Sequence, residues 1–110
     1  MGVSASAKAV FERLVHHQGD KADVDVGKML HADALRVRGK GFAFATGDRI
    51  VMKLPKERID GLEGEGVGAR MAMGNGPKQR TMREWIAIPC DDDEACLKLA
   101  DEARRFVQSL

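Results

Sequence analysis

Two cysteines, three histidines and a few carboxylate clusters are the side chains of this 110-residue sequence that could carry catalysis or hold a metal. Cys90 follows an alternating strand pattern and precedes a helix, where a thiolate is stabilised by the helix dipole. No histidine lies close to it in sequence, so a base for nucleophilic catalysis would have to be His16, His17 or His31 brought near by folding. Cys96 falls on an apolar helical stripe and reads as a core residue. His16 and His17 are adjacent on a helix, where neighbouring side chains point about 100° apart and do not converge on one ion. The cysteines are six residues apart, which is not a zinc-ligand spacing. Asp60, Glu63 and Glu65 stand among glycines, and Asp91, Asp92, Asp93 and Glu94 stand where a helix cap is expected. Both are solvated settings, and neither has the alternating spacing of a calcium loop. Gly61, Gly64, Gly66 and Gly68 do not follow a strand in dinucleotide-binding order, and no P-loop lysine follows a glycine. The sequence therefore predicts no catalytic residue, metal ligand or cofactor.

The remaining chemical feature is a run of cations. Between Lys28 and Arg58 eight basic residues face only Asp33, Asp48 and Glu57, and Arg70, Lys78, Arg80 and Arg83 form a second basic stretch. Arg36, Arg38, Lys40, Arg49 and Lys53 are the residues of this run that a sheet face could present to phosphates. The opposing reading is a solvated, edge-protecting face. A formal net charge of +1 excludes a generally basic protein, and only five residues are aromatic, few for a base-stacking platform.

The elements that must position these residues are legible from periodicity. A first helix is predicted over Ala5 to His17, capped by Ser4 or Ser6 and ended by Gly19. A weak strand carries Val24, Val26 and Met29. Strands follow at Ala34 to Arg38, Gly41 to Thr46 and Arg49 to Leu54, joined by turns at Gly39-Lys40 and Gly47-Asp48. Those turns predict a core face of Leu35, Val37, Phe42, Phe44 and Val51. They leave Ile50, Met52 and Leu54 as an apolar strip on the opposite face, where a homodimer or a second covering helix could bury it. Pro55 opens a short helix over Lys56 to Leu62, and a glycine-rich loop follows over 61–68. Ala69 to Met73 and Arg83 to Ile88 read as strands around a Gly74-Asn75-Gly76-Pro77 turn, the second alternating with Glu84, Ile86 and Ile88 on one side and Arg83, Trp85 and Ala87 on the other. In the last helix Cys96, Leu99, Ala100, Ala103, Phe106, Val107 and Leu110 form one stripe. The expected fold class is a single α+β domain over 1–110. Its two layers are an N-terminal helix, an antiparallel sheet of about five strands with a short inserted helix, and a C-terminal helix.

The words Gly27-Lys28-Met29, Leu35-Arg36-Val37-Arg38-Gly39-Lys40-Gly41-Phe42-Ala43, Val51-Met52-Lys53-Leu54-Pro55 and Met82-Arg83-Glu84-Trp85 resemble the TfoX N-terminal domain family. They are also similar to the MmcQ/YjbR group. The resemblance runs from the first helix to the last, and its motifs are structural rather than catalytic. It implies a small bacterial cytoplasmic protein. Some relatives are linked to regulation of natural competence, and YjbR-type relatives are described as DNA-binding. The sequence departs from the family pattern at Leu30 and His31, where phenylalanine and glycine are usual. The resulting expectation is a non-catalytic binding or regulatory module of unknown partner, with nucleic-acid binding as the alternative and thiol-dependent catalysis as a third reading. Two unbridged cysteines suit a reducing compartment. No membrane span is expected, and Met1-Gly2-Val3-Ser4-Ala5-Ser6 matches the short N-myristoylation pattern, which also serves as a start codon and helix cap.

Overall fold

A computed structural model of the protein describes residues 3–19, 21, 23–29, 32–73, 80–89 and 93–110. The sequence expectations for Met1-Gly2, Leu30-His31, Gly74 to Pro77, Cys90 and Asp91-Asp92 lie outside these residues. The elements run α1 Ala5–Gln18, β1 Val24–Met29, β2 Ala32–Val37, β3 Lys40–Thr46, β4 Arg49–Lys53, α2 Lys56–Gly64, β5 Ala69–Met73, β6 Arg80–Pro89 and α3 Asp93–Gln108. This is the expected α+β class, with six strands in one antiparallel sheet ordered β1-β2-β3-β4-β6-β5.

Local chemistry explains the element boundaries. Ser4 has extended backbone, and its Oγ accepts a hydrogen bond from the Ala7 amide at 3.1 Å, capping α1. The Ser4 amide donates to the Gly47 carbonyl at 2.7 Å, which pins the start of α1 to the β3–β4 turn. Gly47 sits at φ +56 as the first of two turn residues, as a type II′ hairpin requires. Pro55 precedes α2, where a missing amide costs nothing. Helix α3 buries Cys96, Leu99, Ala100, Ala103 and Val107 as one stripe, while Phe106 is half-buried and Leu110 is exposed.

The main core lies between the helices and one face of the sheet. Ala7, Val10 and Leu14 of α1, Ile59 and Leu62 of α2 and the α3 stripe meet Leu35, Val37, Phe42, Ala43, Ala45, Ile50, Met52, Leu54, Ile86 and Ile88. The expected sheet face needs correcting. The β2–β3 turn is Arg38-Gly39, not Gly39-Lys40, and Val37 pairs with Lys40. Both turn residues have positive φ, 53° and 80°, as a type I′ turn demands. Arg36 then pairs with Gly41 and Leu35 with Ala43, so Phe42 is an extra residue, a β-bulge. One added residue reverses the alternation of every position beyond it. Phe44 and Val51 therefore leave the helix-covered face and join Ala34 and Trp85 in a second cluster on the opposite side of the sheet. Ile50, Met52 and Leu54 move the other way and are each 0% exposed in the main core. The strip proposed for a homodimer is thus filled by the protein's own helices and offers no surface to a second copy.

Arg38 stands in the left-handed region, which costs an L-residue about 1–2 kcal/mol and asparagine less. Arg38→Asn creates the Asn-Gly sequence favoured in type I′ turns and is expected to stabilise the fold by about 0.5 kcal/mol in a denaturant titration. Its exposed ion pair with Asp23 is a small loss.

Candidate functional site

The five cations singled out by the sequence do not share one surface. Arg36 projects from β2 on the sheet face opposite the helices, where its guanidinium lies over Gly27. Arg38 lies in the turn rather than on the strand. Lys40 begins β3 opposite core-facing Val37, which puts it on the helix side. Arg49 begins β4 at the other end of the sheet, about 20 Å from the Arg38-Gly39 turn at strand rise. Lys53, at the end of β4, shares the open face with Arg36 two strands away, about 10 Å at the usual strand spacing.

Three of these cations are held by carboxylates. Arg36 Nε and Nη2 each donate to Asp25 at 3.0 Å, a bidentate pair across β1 and β2. That hydrogen bonding, and then the Asp25 charge, raises the Arg36 pKa above its ordinary value. Arg38 Nε donates to Asp23 at 3.4 Å, and Arg49 stands 3.8 Å from Asp48. Lys53 has a different neighbour. Its Nζ is 5.6 Å from the centre of the Trp85 ring, a cation–π contact. Trp85 in turn packs against Phe44, with ring centres 5.8 Å apart and tilted by 58°. Alternation placed Trp85 and Ala87 together on one side of β6. The bulge at Phe42, which has no sequence signature of its own, is what sends Phe44 to meet them. Trp85 and Phe44 are only 8% and 4% exposed, so the pair is a small second core rather than a platform for stacking bases.

The remaining charges tie helices to their neighbours. Arg70 of β5 donates to Asp60 at 2.7 Å and to Glu63 at 3.0 Å, so two carboxylates of the glycine-rich stretch brace α2 against the sheet. Glu63 lies within α2, which extends through Gly64 into the segment expected to be loop. Arg58 pairs with Glu102 across α2 and α3. The His16 and His17 pair lines an open groove of about 430 Å³ between α1 and α3, with Glu12, Arg13 and Leu97. His17 turns toward Asp101, Nε2 to Oδ2 3.4 Å. Among the described residues, no three of His, Cys, Asp and Glu converge as a metal site. Cys96 is buried, with its thiol directed at the Pro89 carbonyl. No described helix is long and apolar enough to cross a membrane.

Sequence reading missed the polar cluster between α1 and α3. Gln18 is fully buried; its Nε2 donates to Asp101 Oδ1 at 2.6 Å and its Oε1 accepts from Arg104 Nε at 2.9 Å. Its only signal was a glutamine one step beyond the predicted helix end. Burial pushes the Asp101 pKa up, but hydrogen bonds from Gln18 and His17, with the charges of His17 and Arg104, leave it below the usual carboxylate value. A depressed folded pKa contributes stability that is full above the unfolded value, about 4, and is lost as pH falls through the folded value. Asp101→Asn is expected to cost about 1–2 kcal/mol at pH 7, and the gap to the wild type should narrow below about pH 4. Urea titrations at pH 7 and pH 3 check both parts.

No family model matches the chain, and no curated protein matches it.

Proposed function

We propose that this chain is a non-catalytic binding or regulatory module of the TfoX N-terminal type, working in the bacterial cytoplasm. The observation that carries this reading is how the charges are spent. Arg36, Arg38, Arg49, Arg58 and Arg70 pair with Asp25, Asp23, Asp48, Glu102, and Asp60 and Glu63. Carboxylates that could do acid–base work and cations that could grip phosphates thus brace the scaffold. The element order, a helix, a sheet interrupted by a short helix and a closing helix, is the α+β architecture that the sequence periodicity predicts.

Nucleic-acid binding through Arg36, Arg38, Lys40, Arg49 and Lys53 is the competing reading, and the same pairing weighs against it. Fluorescence anisotropy of labelled single- and double-stranded DNA and RNA, titrated with salt, separates the two. The proposed reading expects no binding near physiological salt. At low salt it expects weak binding, with a log–log slope of about −2 or shallower from this surface. That is the value for Lys40 and Lys53, the two of the five candidates not paired with a carboxylate among the described residues. Micromolar binding near physiological salt that disappears in an Arg36→Ala, Arg38→Ala variant would replace it with the nucleic-acid reading.

A further inference from the structure

The sheet has two edges, and they are treated differently. At the β5 edge the backbone amide of Arg70 donates to the Glu63 carboxylate at 2.8 Å, and the Arg70 side chain is held by Asp60 and Glu63 of α2. A helix side chain thus occupies a hydrogen-bonding position that an incoming strand would need. Among the described residues the β1 edge is covered only at its start, where the Val24 amide donates to the Lys21 carbonyl at 3.4 Å, and the strand beyond it has no such cover. Its six residues, Val24–Met29, pair with β2 alone, and the sheet ends there. Val26, in the middle of this strand, is 46% exposed, and the only other exposed large apolar residue described is Leu110, the last residue of the sequence.

We propose that the β1 edge pairs with the β1 edge of a second copy of this chain, antiparallel, about a two-fold axis at Val26. Geometry restricts the arrangement. Two identical strands side by side and antiparallel in one sheet are related by an axis normal to that sheet, so both copies carry their helices on the same side. Directly opposed residues in antiparallel strands point to the same face, so their numbers must differ by an even count. Centring on Val26 places it against its own copy, Val24 against residue 28, and Asp25 against Gly27. The exposed valines then cover each other.

Charge selects the same register. Within one copy, Arg36 lies over Gly27, so that a Cβ at that position would run into its guanidinium. The register brings the Asp25 of one copy opposite the Gly27 of the other, beneath that copy's Arg36. Arg36 uses Nε and Nη2 on its own Asp25, which leaves Nη1 to donate across the seam. Two aspartates and two arginines therefore alternate across the axis, and Gly27 provides the room.

Sedimentation equilibrium of the full chain, from low micromolar to near-millimolar concentration, tests this. The apparent mass should rise from 12.0 kDa toward twice that value. Val26→Lys should hold it at the monomer value, and Asp25→Asn should weaken association several-fold. In a Cys90→Ser background, Val26→Cys should give a disulfide-linked dimer on mild oxidation, while Asp48→Cys, at the far hairpin turn, should not. Val26, Asp25 and Asp48 are exposed, and circular dichroism verifies that the variants stay folded. A wild-type chain that is monomeric throughout, or a dimer indifferent to Val26→Lys, overturns the proposal.

Discussion

Met52→Glu is expected to abolish folding. Met52 is 0% exposed and sits in the sheet layer beneath the helices, paired with Ala43 on one side and Ile86 on the other. All three belong to the main core, and the carboxylate would have no charged partner among them. An unpaired carboxylate there must either stay charged at high cost or take up a proton at neutral pH. The penalty is expected to exceed about 4 kcal/mol, a large part of the roughly 5–15 kcal/mol that holds a domain of this size. Circular dichroism and amide dispersion in NMR should show loss of the fold. A folded, soluble Met52→Glu protein would mean that Met52 faces solvent and that the sheet faces are the reverse of those described. The same substitution would merely disperse a dimer if Ile50, Met52 and Leu54 formed a surface strip, so one measurement distinguishes core from interface.

Why that strip looked like a surface is a matter of one residue. Element types were readable because they rest on local signals: Ser4 caps α1, Pro55 opens α2, and Leu99, Ala103 and Val107 repeat at helical spacing. Strand positions were readable from alternation, as with Trp85 and Ala87 against Ile86 and Ile88. Register was not, because it depends on the turn and on the bulge at Phe42, and only the bulge reverses the faces. Gly39-Lys40 and Arg38-Gly39 are both plausible two-residue loops by composition, and the choice moves each cross-strand pair. The ion pairs were hidden for a similar reason. Arg36 and Asp25 are 11 residues apart, and only the β1–β2 register brings them together. The expected basic stripe followed from counting cations along the chain. Its neutralisation comes from acids on other strands and turns, and Arg49 is separated from Arg38 by the length of β3.

Phe42 is where register and core meet, and its truncation should show it. Phe42→Ala is expected to cost about 3–5 kcal/mol, because the ring is fully buried and the bulge holds the backbone in place around the cavity. Phe44→Ala tests the other face of the same strand. Its ring packs against Trp85, the single tryptophan of the sequence, so losing it should admit water and shift the tryptophan emission to the red. Phe42→Ala should leave that emission unchanged while the protein is folded, because Phe42 belongs to the helix-side cluster and Trp85 to the opposite one. Without the bulge both rings would share one face, and the two variants would perturb the same environment. Urea titrations followed by tryptophan fluorescence supply both readings. A large stability loss with native emission for Phe42→Ala, beside red-shifted native emission for Phe44→Ala, is the pattern that an extra residue at Phe42 requires. Equal spectral shifts in the two variants would put Phe42 and Phe44 on one face and remove the bulge.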